Sequence, residues 1–138
     1  MLNSTASHAD EVRALLESWA KATRENRKDD ILKNHRQDLV IFDVLPPMKY
    51  DSAESYRRSW GDWQPETQGD TRFDLEDLSV TATADMAAAH CFIRCGGFTP
   101  DGRRFEDWVR ATFCLHKSFG SWKVFHQHVS KPFERGGK

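Results

Sequence analysis

The chain has 138 residues, with 21 acidic and 20 basic side chains and a formal charge of −1. That length suits one domain, 1–138, able to bury roughly two-thirds of its unfolded surface without disulfide staples. Charges so balanced and interspersed exclude a dedicated nucleic-acid binder.

Three cysteines, an odd number without C-x-x-C spacing, read as buried reduced thiols of a cytoplasmic protein. The run "MLNSTASHADEV" has neither the basic nor the apolar region of a signal peptide, and nowhere do eighteen apolar residues run together. A soluble chain with no membrane partner is expected. Five tryptophans and nine phenylalanines form a heavy aromatic load, and large rings line cavities as readily as they fill cores.

Ser7, followed three residues later by Asp10, is a capping-box signal, and Val12, Leu15, Leu16 and Trp19 fall on one stripe. Together they predict a helix to about Glu25. "DDILKNHR" predicts a helix of two turns, capped by Asp29 or Asp30 and packed through Ile31 and Leu32. "LVIFDVLPP" reads as a buried strand ending at Pro46. Asp51 and Glu54 repeat the capping signal, and Tyr56, Trp60 and Trp63 lie along one side of a third helix that Pro65 ends.

Everything after Thr71 is strand-like. The change of phase in "RFDLEDLSVT" predicts a bulge or bend near Asp77. "MAAAHCFIRC" is a strand closed by Gly96 and Gly97, and Pro100, Asp101 and Gly102 signal a turn. "FEDWVRATFCLHK" alternates over more than ten residues, "SFGS" turns the chain again, and "WKVFHQHVS" is the last strand. Helices first and a hairpin-connected meander afterwards predict an α+β fold with the helices on one face of an antiparallel sheet.

Several side chains carry chemistry. Asp43, after Val40, Ile41 and Phe42, is a half-buried carboxylate suited to a general base, or else it caps a turn before Pro46 and Pro47 or pairs with Arg94. Arg94 shares a side with His90 and Phe92, and its guanidinium needs an anion: a ligand carboxylate, Asp43 or Asp107. Arg110 lies on one side with Trp108 and Thr112, and either meets a ligand or ties strands together. His126, His128 and Ser130 stand two apart and so face one way. They form a metal clip completed by a third ligand, a proton-transfer site, or a polar network with Ser130. Trp19, Tyr56, Trp60 and Trp63 either line an apolar pocket or fill the core. His8, His35 and His116 read as surface or turn residues.

Taken together, the three helices, "FDVLPP", "AAAHCFIR", the "DG" turn, "RATF" and the terminal "WKVFHQHVSKP" resemble the ketosteroid isomerase-like and SnoaL-like proteins of the nuclear transport factor 2-like superfamily. The ending is also similar to the association domain of calcium/calmodulin-dependent protein kinase two. The resemblance implies a cone-shaped α+β barrel of the nuclear transport factor 2-like, cystatin-like type, in which a curved sheet wraps the first helix. It also implies a deep pocket at the open end, a homodimer formed through sheet faces, and neither cofactor nor metal.

On that resemblance Asp43 stands where steroid isomerases keep their general base, and Trp19 roughly where they keep a tyrosine. The place of their protonated oxyanion acid, around Arg110, Ala111 and Thr112, holds no acid, which puts steroid isomerisation itself in doubt. Ile93 and Arg94 match the kinase domain's "I-R" strand, whose arginine contacts small carboxylates.

The expected function is binding of a small organic molecule, a carboxylate or an apolar ring compound. Isomerase, hydratase or cyclase chemistry would come from Asp43 with His126 or His128, and substrate contacts from Trp19, Tyr56, Trp60, Trp63, His90, Phe92, Arg94 and Arg110. The alternative is a non-catalytic ligand-binding or association module.

Overall fold

The computed structural model describes residues 7–63, 68–98 and 101–133. Helix α1 spans His8–Arg24, and the Ser7 hydroxyl accepts from the Asp10 amide at 3.1 Å, satisfying one of the donors a helix start leaves free. Its stripe of Val12, Leu16 and Trp19 is buried as the spacing predicts. The second helix, α2, is a single turn, Lys28–Ile31, shorter than expected. Asp29 and Asp30 do not cap it: Asp29 pairs with Arg57 and Asp30 with Arg27, so both carboxylates are drawn to guanidinium groups instead of the backbone.

Strand β1, His35–Phe42, begins earlier and ends earlier than the apolar run suggests. It stops before Asp43 because that side chain accepts from the Val44 amide at 2.7 Å and bends the chain away. The chain returns at Tyr50, which exchanges two backbone hydrogen bonds with Ile41. Helix α3, Ala53–Trp63, is capped by Ser52, whose hydroxyl accepts from the Ser55 amide at 3.0 Å, one residue later than the Asp51 signal. Pro65 lies outside the described residues.

Four long strands follow: β2 Gln68–Ala82, β3 Met86–Phe98, β4 Arg104–Ser118 and β5 Ser121–Ser130. The sheet order is β1-β5-β4-β3-β2, with β1 parallel to β5 and every other pair antiparallel. A bulge falls at Asp77 (φ 55°), where the sequence changes phase, and it bends β2 around the helix.

Gly96 and Gly97 do not close β3; the ladder runs through both to Phe98. A Cβ on Gly96 would lie 2.4 Å from the Phe105 carbonyl oxygen, so the residue is glycine because the neighbouring backbone comes too close for anything else. Gly96→Ala is expected to cost about 2 kcal/mol of stability in chemical denaturation, since main chain must move to admit the methyl group.

The β4–β5 turn places Phe119 (φ 51°) and Gly120 (φ 79°) in the left-handed region, as a two-residue type I′ hairpin requires. Phe119 is wholly exposed, so its ring gains nothing there. Phe119→Asn should stabilise the fold by about 1 kcal/mol, read as a rise in thermal midpoint, because asparagine tolerates this conformation. Pro100, next to the Asp101–Gly102 turn, lies outside the described residues.

The inner face of the sheet packs on α1. Ala89, Cys91, Ile93, Ala111, Phe113, Leu115 and Val124 meet Val12, Leu16 and Trp19 in one core, and the Trp19 ring stands edge-on to Phe73 and Phe113 at 5.2 Å. β2 lies at the margin of the sheet, where α1 covers it. Arg13 donates to the Leu78 carbonyl at 2.9 Å and Arg24 to the Phe73 carbonyl at 3.2 Å.

Candidate functional site

The two faces of the sheet separate the residues singled out in the sequence. Asp43, Trp19, Tyr56 and Trp60 belong to the inner side. One Asp43 carboxylate oxygen accepts from the Val44 amide, and the other accepts from the Tyr56 hydroxyl at 2.7 Å. Burial, reinforced by the negative charge of Asp43, holds the Tyr56 phenol well above its ordinary pKa, so it stays protonated and donates. The Tyr56 ring stands edge-on between Tyr50 (5.1 Å) and Trp60 (5.6 Å). Aromatic packing thus fixes where the hydroxyl points.

Trp19 and Trp60 are core residues, 8% and 4% exposed, so their rings are committed to packing. The backbone of Trp63 ends α3, and its side chain lies outside the described residues. Beside Asp43 the turn exposes Val44, Leu45 and Met48, an apolar rim that the sequence reading missed; three apolar side chains following a strand end were its signal.

Asp107 also faces inward, since its ladder partner Cys95 shares a row with Phe73. It accepts from the Lys131 ammonium at 2.6 Å and has no contact with Arg94. Burial raises the pKa of both Cys91, to about 11, and Cys95, which keeps these thiols protonated and unreactive at neutral pH.

His90, Phe92, Arg94, Arg110, His126 and His128 lie on the outer face. Ladder partners point the same way, and Phe92, Arg110 and Ser130 form one row while His90, Thr112 and His128 form the next. Arg94 therefore meets neither Asp43 nor Asp107: it is ion-paired to Glu106 and its guanidinium lies over the Trp108 ring at 5.7 Å. The distance between faces, set by alternation along β3, rules out the Asp43–Arg94 pairing the sequence suggested.

The terminal histidines are anchored separately from Ser130. His126 Nδ1 contacts the Val40 carbonyl at 2.8 Å, both imidazoles pack against Phe42 (5.0 and 5.2 Å), and Ser130 accepts from Arg110 Nε at 2.9 Å. Among the described residues, no three His, Cys, Asp or Glu side chains are grouped to hold a metal ion.

A groove of about 430 Å³ runs along these two outer rows, lined by His90, Phe92, Arg110, Thr112, His128 and Ser130 among others. A smaller recess of about 210 Å³ is lined by Gly96, Gly97, Arg72 and Arg104 among others. His35, read as a surface or turn residue, is buried at 4% exposure beneath β5 and contacts Gln127, itself buried, at 2.9 Å. Burial lowers its pKa to about 4.

A curved five-stranded sheet around an amino-terminal helix, with a carboxylate at the end of β1, defines the class, and the sequence agrees: residues 12–134 match the SnoaL-like domain model, and the chain belongs to that family. No curated protein matches the sequence.

Solved structures share the fold. An NTF2-like protein of unknown function from Pseudomonas putida is 29% identical, with a TM-score of 0.81 over 97% of this chain and 93% of that one. A ketosteroid isomerase-like protein from Erwinia carotovora is 15% identical (TM-score 0.76; 94% and 100% covered). The association domain of C. elegans CaMKII is 12% identical (TM-score 0.72; 88% and 93% covered). The chain is thus an α+β protein of the NTF2-like, cystatin-like fold. Among the described residues no helix is long and apolar enough to cross a membrane.

Proposed function

We propose that this SnoaL-like chain, a single cytoplasmic domain, binds a small organic molecule at the open end of the cone and removes or relocates a proton on a carbon next to a carbonyl. The observation that carries this reading is the carboxylate of Asp43, held at the end of β1 by the hydroxyl of the half-buried Tyr56, which stays protonated at neutral pH. Val44, Leu45 and Met48 offer an apolar surface for the rest of the ligand. Double-bond isomerisation next to a carbonyl, loss of water from a β-hydroxy carbonyl compound and aldol-type cyclisation share such a proton transfer, and it requires no cofactor. The test is hydrogen–deuterium exchange next to the carbonyl in a panel of cyclic ketones and 2-oxo acids, followed by NMR. Exchange that the protein accelerates and Asp43→Asn abolishes supports the reading; a panel untouched by the folded protein sinks it.

A second reading, an association module, is favoured by the outer face, where Phe92 and Trp108 are 49% and 46% exposed on neighbouring strands. Homodimerisation through this face, as the CaMKII association domain suggests by analogy, would cover both rings. Sedimentation should then give a dimer that Trp108→Glu converts to monomer with unchanged circular dichroism.

A further inference from the structure

The proton transfer proposed for Asp43 leaves one charge unanswered. When a carbon next to a carbonyl loses its proton, negative charge collects on the carbonyl oxygen, and a donor aimed at that oxygen is usually the largest single contribution to the rate. The inner face of the sheet carries such a donor. Asp107 Oδ1 accepts from the Trp108 amide at 3.0 Å and from Lys131 Nζ at 2.6 Å. The carboxylate is held by its own backbone, and it in turn holds the ammonium.

Lys131 comes directly after β5. It stands one residue past the Arg110–Ser130 pair and two past Val129, which packs on the core, so alternation gives it the inner side that Asp107 shares. Asp43 stands one residue past the Phe42–His128 pair and so also adjoins Val129. Strand spacing and rise put the Asp43 and Lys131 Cα atoms about 8 Å apart. A small ligand spans that gap with its reacting carbon at one end and its carbonyl oxygen at the other. The side chains of Lys131 and Asp107 are 50% and 48% exposed, as a ligand entering from the open end requires.

We infer that Lys131 is a second catalytic residue of this site, its ammonium donating to the carbonyl oxygen of the bound ligand, and that Asp107 positions it. This role rests on Asp43 acting as the base. Asp43 takes the proton from carbon, the C–H electron pair becomes a C=C bond, and the carbonyl π pair moves onto oxygen as an enolate that the ammonium neutralises. Return of the proton, to the same carbon or to another, restores the carboxylate and the carbonyl. An ammonium has three N–H donors, so it can hold Asp107 and the ligand oxygen together.

The experiment follows hydrogen–deuterium exchange by NMR in the panel of ketones and 2-oxo acids, for wild type, Lys131→Met, Lys131→Arg and Asp107→Asn. Lys131→Met should lower kcat about 10²-fold, Lys131→Arg should keep it within about tenfold, and Asp107→Asn, which leaves the cation in place, should cost about tenfold. A binding measurement needs no turnover. In an Asp43→Asn background, which imitates the protonated base, 4-nitrophenolate stands in for the enolate, and its binding, read from its absorbance, should weaken about ten- to hundredfold when Lys131→Met is added. Should Lys131→Met fail to fold, Lys131→Gln replaces it with the same expectations.

Exchange that Asp43→Asn abolishes and Lys131→Met leaves unchanged would overturn this role alone, as would phenolate binding indifferent to Lys131→Met. Equal losses in Lys131→Met and Asp107→Asn, without recovery in Lys131→Arg, would overturn it too, because the ion pair then only ties the end of β5 to β4. A wild type that exchanges nothing overturns the base and the oxygen donor together.

Discussion

Asp43→Asn is expected to lower the rate of carbonyl-adjacent proton exchange about 10²- to 10⁴-fold, the usual contribution of a positioned general base. The variant should keep the wild-type fold, since asparagine retains an oxygen for the Val44 amide and a polar group for the Tyr56 hydroxyl. Tyr56→Phe separates positioning from chemistry. It leaves the carboxylate in place but removes a 2.7 Å donor from it, and should destabilise the protein by about 2 kcal/mol, as expected for a lost bond to a charged group. It should lower kcat with little change in KM. Equal rates in wild type and Asp43→Asn would remove Asp43 from the reaction.

Acidification should unfold the protein through His35. Its folded pKa of about 4 lies below the ordinary 6.5 because burial disfavours the imidazolium. Between those values the unfolded chain takes up a proton that the folded chain refuses. Stability is therefore full above pH 6.5, falls as pH drops through this window, and by pH 4 has lost about 3 kcal/mol on this account. The contact of Nε2 with Gln127 favours the charged form, but burial outweighs it, and Nδ1 is buried with no hydrogen-bond partner. Denaturant titrations at pH 7, 6, 5 and 4 should show a steeper loss for wild type than for His35→Gln. Parallel curves would mean that the imidazole charges in place.

Local signals were the readable ones. Ser7 and Asp10 announce α1, the phase change at Asp77 announces a bulge, and Gly120 ends a turn, because each depends on backbone geometry within a few residues. Which face each side chain joins was less legible. On β5 strict alternation from His128 would send Val124 outward, yet Val124 is fully buried. The irregularity between the Cys114–His126 and Leu115–Val124 pairs inserts Phe125 as an unpaired residue, which lets the histidines face out while Val124 faces in. His90, Phe92, Arg94 and Arg110 form a common surface as their spacing suggests, but nothing in the spacing tells that surface from the one bearing Asp43. His35 was misjudged because its burial depends on Gln127, 92 positions away.

The cover over the sheet margins limits how this chain can meet others. Arg13 and Arg24 occupy carbonyls of β2 that an incoming peptide would need, and Tyr50 occupies the Ile41 position on β1 at the opposite margin. Lateral addition of a foreign strand, the first step toward fibrils and strand exchange, is hindered on both flanks.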